Sequence, residues 1–147
     1  MDTEQSRHIV INAWKAFASQ DPAQAAPFFA EDAVWIAPKD NATAVALGAP
    51  SGMTGRDVIA RFLTQGFHRL FREVQIDFLG VYADGDTVVV EERMRATVVN
   101  GRAYDMTYVF VFKLEVGKIK LMREYMDTLT AEMMIFDGER AHRLDIA

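Results

Sequence analysis

The sequence predicts an α+β domain in which helices cover one face of a strongly curved antiparallel sheet. Apolar residues recur at helical spacing through the first part of the chain. From Arg72 onward, four β-rich segments are separated by short turn signals. Connections this short force neighbouring strands to run antiparallel. Three N-terminal helices on a bent sheet would form a cone whose interior can hold a ligand.

Three segments carry helix signals. Asp2–Phe17 places apolar residues on one face at helical spacing. A second, short helix begins at Asp21-Pro22-Ala23-Gln24, because aspartate caps, proline suits the first turn and glutamine completes a capping box. It runs to about Phe29. Thr54-Gly55-Arg56-Asp57 begins the third helix. Its expected buried stripe comprises Val58, Ile59, Phe62, Leu63 and Leu70.

The strands are predicted from β-rich runs and the turns between them. Asp32–Ala37 is one strand, and Lys39–Met53 is a long loop without periodicity that we expect to rim or close a pocket. Asn100-Gly101 is the strongest hairpin signal. The four later strands are Val74–Tyr82, Thr87–Val99, Arg102–Leu114 and Lys118–Asp127. A final helix fits Thr128–Phe136, with Asp127 as a possible cap.

Composition excludes several classes of function. The chain has 147 residues, a mass of 16.6 kDa and a formal charge of −5, which suits one domain over residues 1–147 and argues against nucleic-acid binding. It has no cysteine, so disulfides and zinc–thiolate sites are excluded. No signal peptide or membrane-spanning run is visible, and we expect a cytoplasmic protein. Neither metal nor cofactor is expected, because His8, His68 and His142 are scattered and no phosphate loop is present.

Residue alternation predicts which side chains share a face of the sheet. Met122, Glu124 and Met126 have one parity in the last strand. We expect the large aromatic and methionine side chains to face the helices, with Glu124 among them. Arg93 and Arg95 share a face of their strand, and we expect that face to be the inner one, where either arginine could pair with Glu124.

Apolar residues also occur on the opposite parity. We expect the outer face of the sheet to be covered by a second copy of the protein, forming a homodimer. The residues that motivate this expectation are Val90, Met94, Val109 and Val111.

Four stretches of the sequence resemble a known family. They are Phe28–Trp35 (FFAEDAVW), Gly55–Ile59 (GRDVI), Asn100–Tyr104 (NGRAY) and Gly117–Asp127 (GKIKLMREYMD). With the order of elements, they resemble the SnoaL-like branch of the nuclear transport factor 2-like superfamily, over Trp14 to Met134. The resemblance implies a cystatin-like cone and leaves the reaction open, since this superfamily includes isomerases, cyclases, epoxide hydrolases, dehydratases and non-enzymatic binders.

The resemblance also implies site residues. In SnoaL-type cyclases the acid/base follows an arginine in the last strand, which here is Glu124 after Arg123. Limonene epoxide hydrolase adds an arginine and a second aspartate on an inner strand. Arg93 matches that arginine, but Arg95 stands at the aspartate position and cannot act as its acid, which disfavours epoxide opening. A ketosteroid isomerase would need a base on the first strand, where Val34, Trp35 and Ile36 provide none.

We therefore predict a cofactor-independent enzyme that moves a proton on a hydrophobic, carbonyl-containing molecule, by isomerase, cyclase or dehydratase chemistry. Glu124 would be the catalytic carboxylate and Arg93 would orient it. The substrate-binding set is Arg95, Trp35, Trp14, Phe17, Tyr104, Met106, Tyr108, Met122 and Met126. Two alternatives stay open. The domain could be a non-catalytic module that binds a hydrophobic ligand or dimerises, and Glu124 could be only the structural ion-pair partner of Arg93.

Overall fold

The computed structural model describes residues 2–137 and confirms the α+β prediction. Helices cover one face of a curved, unclosed sheet of six strands. The helices are α1 (Thr3–Ala18), α2 (Pro22–Ala25), α3 (Ala42–Leu47), α4 (Arg56–Arg61) and α5 (Thr128–Phe136). The strands are β1 (Phe29–Ile36), β2 (Gly52–Thr54), β3 (Phe71–Asp84), β4 (Thr87–Val98), β5 (Ala103–Glu115) and β6 (Lys118–Met126). None of the described helices is long and apolar enough to cross a membrane.

The sheet order is β2-β1-β6-β5-β4-β3. Strands β3 to β6 form the predicted antiparallel meander, while β1 pairs in parallel with β6. Breaks in register interrupt β3 beside β4, β1 beside β6 and β5 beside β6. Such irregularities bend a strand and increase its twist.

Local signals account for the helix ends. The Asp2 side chain accepts a hydrogen bond from the Gln5 backbone N–H at 2.8 Å and completes a capping box at α1. The Asp127 carboxylate accepts from the Thr130 N–H at 3.0 Å, which confirms the predicted cap of α5. Helix α1 buries Val10, Trp14 and Phe17 against the sheet.

The predicted loop 39–53 contains structure that the sequence interpretation missed. Asn41 caps α3 through a 3.0 Å hydrogen bond to the Ala44 N–H, and Gly48 ends the helix in a left-handed conformation, with φ of 65°. Gly52–Thr54 then forms the edge strand β2. Four helices therefore precede the meander, where three were expected.

The third predicted helix is shorter and less regular than expected. Thr54 belongs to β2, and no side chain caps α4. After Arg61 the chain continues as a π-helical turn over Phe62–Gly66 and a 3₁₀ turn over Phe67–Arg69. Val58 was placed in the buried stripe, but 48% of it is exposed.

The prediction of which β4 residues face inward is wrong, and the hairpin between β4 and β5 explains why. A two-residue Asn-Gly turn would set Arg93 opposite Tyr108. The loop instead has three residues, since the Val98 N–H donates to the Arg102 carbonyl at 2.8 Å, and Glu92 lies opposite Tyr108. A shift of one residue moves every side chain of a strand to the other face.

Two sets of predictions change with this register. Arg93 and Arg95 lie on the outer face, where both are exposed. Val90 and Met94, which were expected on the outer face, are buried on the inner face instead.

Candidate functional site

The concave face of the sheet and the helices above it enclose a cavity of about 430 Å³. Its walls are mainly aromatic and aliphatic. Trp14 and Phe17 come from α1, Trp35 from β1, Phe62 from the π-helical turn, and Phe110 from β5. Because these side chains come from separate elements, they meet only when the sheet has folded against the helices.

Glu124 projects into this cavity from β6. It lies opposite Phe110 of β5 in the strand register, and it is partly exposed. Within residues 2–137 no group hydrogen-bonds or ion-pairs with its carboxyl group. Burial, and then the charge of Glu92, raise the pKa of Glu124 from its ordinary 4.5 to about 8. Glu124 is therefore mostly protonated at neutral pH, whereas the sequence analysis placed it beside an arginine.

A second carboxyl group, Glu92 on β4, was not among the predicted site residues. It is 4% exposed and lines the cavity. The Trp14 Nε1–H donates to its Oε2 at 2.9 Å, which leaves Oε1 without a hydrogen bond from the described residues. Burial raises the pKa of Glu92 to about 7, and the Trp14 hydrogen bond opposes part of that rise.

The sequence did contain a signal for Glu92. Even positions of β4 carry Val88, Val90 and Met94, whereas odd positions carry Glu91, Arg93 and Arg95. An acid within the apolar set is a candidate for a buried functional group, because an unpaired buried charge is costly.

Two tyrosines of β5 lie beside the acids. The Tyr104 and Tyr108 hydroxyl oxygens are 2.6 Å apart, and both side chains are buried. Tyr108 lines the cavity, while Tyr104 lies behind it. Burial raises the pKa of both phenols, so each keeps its proton at neutral pH. Tyr108 is the phenol that a bound molecule can reach.

The structure brings together six of the predicted site residues and separates the others. The cavity is lined by Glu124, Trp14, Phe17, Trp35, Tyr108 and Met122. Three others pack in or against the hydrophobic core and do not line the cavity: Tyr104, Met106 and Met126.

The two arginines assigned to the site lie outside it. Arg93 donates two hydrogen bonds to Asp105, at 2.8 and 2.6 Å. Arg95 donates to Asp77 at 2.9 Å. Both pairs are on the convex face of the sheet, so neither arginine can orient Glu124.

The histidines and the rim also bear on the site. His68 is half-buried and lines the cavity, and burial lowers its pKa. His8 is exposed, and His142 lies outside the described residues. Segment 39–53 contributes Asn41, Thr43 and other residues to the wall, which agrees with the expected rim. Among residues 2–137 no three acidic or histidine side chains form a group that could hold a metal ion.

The family model of the SnoaL-like domain matches residues 10–122. The chain belongs to the SnoaL-like domain family. This confirms the resemblance stated from the sequence. No curated protein matches the chain.

Several solved structures share the fold of this SnoaL-like chain over nearly its whole length. An NTF2-like protein from Burkholderia xenovorans has a TM-score of 0.76 at 24% identity, over 92% of this chain and 98% of that chain. TerC, co-crystallised with polyporic acid, has a TM-score of 0.76 at 18% identity, over 90% and 98%. An LEH-like epoxide hydrolase from M. tuberculosis has a TM-score of 0.66 at 20% identity, over 95% and 96%. At these identities the likeness concerns the fold.

Proposed function

We propose that this SnoaL-like domain is a cofactor-independent enzyme that moves a proton on a hydrophobic, carbonyl-containing molecule. The observation that carries the proposal is Glu124, a carboxyl group without a hydrogen-bond partner among the described residues, in an apolar cavity of about 430 Å³. Acids and bases that act near neutral pH are made by burial of this kind.

The two carboxyl groups supply the proton chemistry. With pKa values of about 7 and about 8, Glu92 and Glu124 hold one proton between them at a pH midway between these two values. In its ionised form Glu124 takes a proton from the carbon beside the carbonyl, and the electron pair moves to the carbonyl oxygen. Where the substrate has a carbon–carbon double bond next to the deprotonated carbon, the resulting acid returns the proton to the far carbon of that bond, and the double bond shifts into conjugation with the carbonyl, which completes an isomerisation.

Negative charge on the substrate oxygen needs a hydrogen-bond donor. Tyr108 supports this role, because it lines the cavity and stays protonated. The Tyr104 hydroxyl can donate to the Tyr108 oxygen, which frees the Tyr108 proton for the substrate.

The proposal is tested by proton exchange into a panel of aryl ketones with activated α-carbons, such as tetralones, in deuterated buffer. We expect Glu124→Gln to slow exchange by about 10²-fold or more, while binding is retained, because glutamine keeps the shape and lacks the basicity. Asp105→Asn, on the outer face, is the matched control and should exchange at the wild-type rate. Ketone binding without faster exchange would contradict the enzymatic role.

The alternative is a non-catalytic module that binds a hydrophobic ligand in the same cavity. The predominance of aromatic walls favours it, since such walls bind apolar molecules without any chemistry. The two uncompensated carboxyl groups favour the enzyme, because a simple apolar binder gains nothing from burying them. Epoxide hydrolysis remains disfavoured, because the arginine that matched the hydrolase pattern lies outside the cavity.

A further inference from the structure

The cavity of the SnoaL-like domain is unbalanced in charge. Glu92 and Glu124 both face its interior, and no ion pair among residues 2–137 involves either of them. Lys15 also lines the cavity, but it is exposed, and burial lowers the pKa of His68, which disfavours its charged form. Tyr108, the remaining titratable group of the lining, is a neutral phenol, as is Tyr104 behind it. Once either acid ionises, the described part of the chain supplies no buried cation to balance it.

The walls around the acids suit a positive charge as well. Trp14 is packed in edge contacts with Phe78 and Phe110, with ring centroids 5.7 and 5.3 Å apart, and all three line the cavity. Aromatic faces attract cations within about 6 Å of a ring centroid, most strongly where water is excluded. Oε1 of Glu92, on a side chain 4% exposed, has no donor among the described residues and is open to a ligand.

We propose that the natural ligand of this cavity is a hydrophobic ammonium compound, whose cationic nitrogen lies between Glu92 and Glu124 and against the aromatic wall. This deepens the proposed function and shares its site: the substrate would carry a basic nitrogen in addition to its carbonyl group. A monocation balances the pair when the two carboxyl groups share one proton, so the complex is neutral overall.

The test compares three ligands that have one hydrophobic body and different charges: adamantylmethylammonium, adamantylmethanol and adamantanecarboxylate. The chain has two tryptophans, and both line the cavity, so intrinsic fluorescence reports binding. We expect the cation to bind at least about tenfold more tightly than the alcohol, and the anion to bind most weakly. The advantage of the cation should grow from pH 6 to pH 9, as the acids lose protons.

Variants separate the acids from the apolar wall. Glu92→Gln with Glu124→Gln should remove the advantage of the cation over the alcohol, whereas Asp105→Asn should retain it. If the double variant does not fold, the single variants and the wild-type ligand series still decide. Alcohol binding as tight as cation binding, an advantage that survives in a folded double variant, or binding of none of the three would overturn the inference.

Failure of this inference is distinguishable from failure of the proposed function. Ketone exchange that depends on Glu124, in a protein that prefers the alcohol, overturns only the ammonium ligand. Cation binding without any catalysed exchange overturns only the proton-transfer activity.

Discussion

The two faces of the sheet shift the pKa values of their carboxyl groups in opposite directions. On the outer face Arg93 holds Asp105, and its hydrogen bonds lower the pKa of that carboxyl group. On the inner face Glu92, which precedes Arg93 in the chain, has a raised pKa, and no residue within 2–137 forms an ion pair with it. Asp105 and Glu92 both carry a carboxyl group, so the surroundings of each group determine the direction in which its pKa shifts. Water and a partner allow ionisation outside, and burial opposes it inside.

This difference indicates that unfavourable electrostatic energy is concentrated on the inner face of the sheet. The outer ion pairs are exposed, and exposed pairs add little to stability. The inner acids are costly to ionise, and among the described residues only the Trp14 hydrogen bond to Glu92 offsets part of that cost. Such a cost is typical of functional sites, where a ligand completes the arrangement.

The largest expected effect of this difference between the faces is on the pH dependence of the free energy of unfolding. Because burial raises their pKa values, Glu92 and Glu124 keep protons in the folded protein that the unfolded chain loses above about pH 4.5. The free energy of unfolding should therefore fall as the pH rises from about 4.5 to about 8. Glu92 alone should contribute up to about 3 kcal/mol to this fall.

Urea denaturation at pH 5 and at pH 8.5 measures this loss. The double variant Glu92→Gln with Glu124→Gln should lose less stability between the two pH values and be more stable than wild type at pH 8.5. If Glu124 were a structural partner of an arginine, its replacement would instead destabilise the protein at high pH. Equal slopes for wild type and variant would mean that the inner acids are not electrostatically strained.

The next prediction concerns the outer face. Val109, Val111 and the exposed Tyr125 lie there, and the expected homodimer would cover them. Sedimentation at micromolar concentration should give about twice the chain mass of 16.6 kDa. A matched pair of variants sharpens the test. Val111→Asp, on the outer face, should give a monomer, and Val58→Asp, on an exposed part of α4, should leave the dimer intact. A monomeric wild type would refute this prediction.

A smaller effect is expected at the rim of the inner cavity. Segment 39–53 contains α3 and lines the cavity through Thr43, Ala44 and Ser51. A bound ligand should slow limited proteolysis within this segment several-fold, while cleavage in the outer turn at Asp84-Gly85 is unchanged. Equal protection of both sites by the ligand would indicate general stabilisation and no closing of the rim.

The smallest effect belongs to the outer ion pairs. Arg93→Ala should change neither turnover nor ligand affinity by more than about twofold, because Arg93 is exposed and directed away from the cavity. Steady-state kinetics on whichever ketone the exchange assay identifies would measure it. A large loss of turnover would return Arg93 to the catalytic role that the resemblance implied and would contradict the register in the structure.

The sequence predicted most elements because their signals are local. Turn residues, caps and alternation fix where each strand of the meander begins and ends to within about three residues. Helix α3 was missed because six residues are too few to show a period, although Asn41 and Gly48 bracket it as cap residues.

The site was harder to predict because it depends on register. Glu124 was found, since its apolar neighbours in β6 and the family resemblance both point to it. Glu92 was missed, and Arg93 was chosen in its place, because one residue in the loop after β4 decides which of the two faces the helices. Turn composition favours a two-residue turn there, but the strands adopt a three-residue loop with Gly101 at a φ of 91°. The face of an isolated strand is thus set by contacts across the whole sheet.

The hydrogen bond between Tyr104 and Tyr108 has a consequence for the shape of the cone. In a flat strand, residues four apart are separated by about 13 Å, and their side chains stand side by side. Hydroxyl oxygens 2.6 Å apart therefore require the two rings to lean together across a concave surface. Straightening β5 would pull the two hydroxyl groups apart and break this buried hydrogen bond. The hydrogen bond between the two tyrosines thus opposes flattening of the sheet next to Glu124.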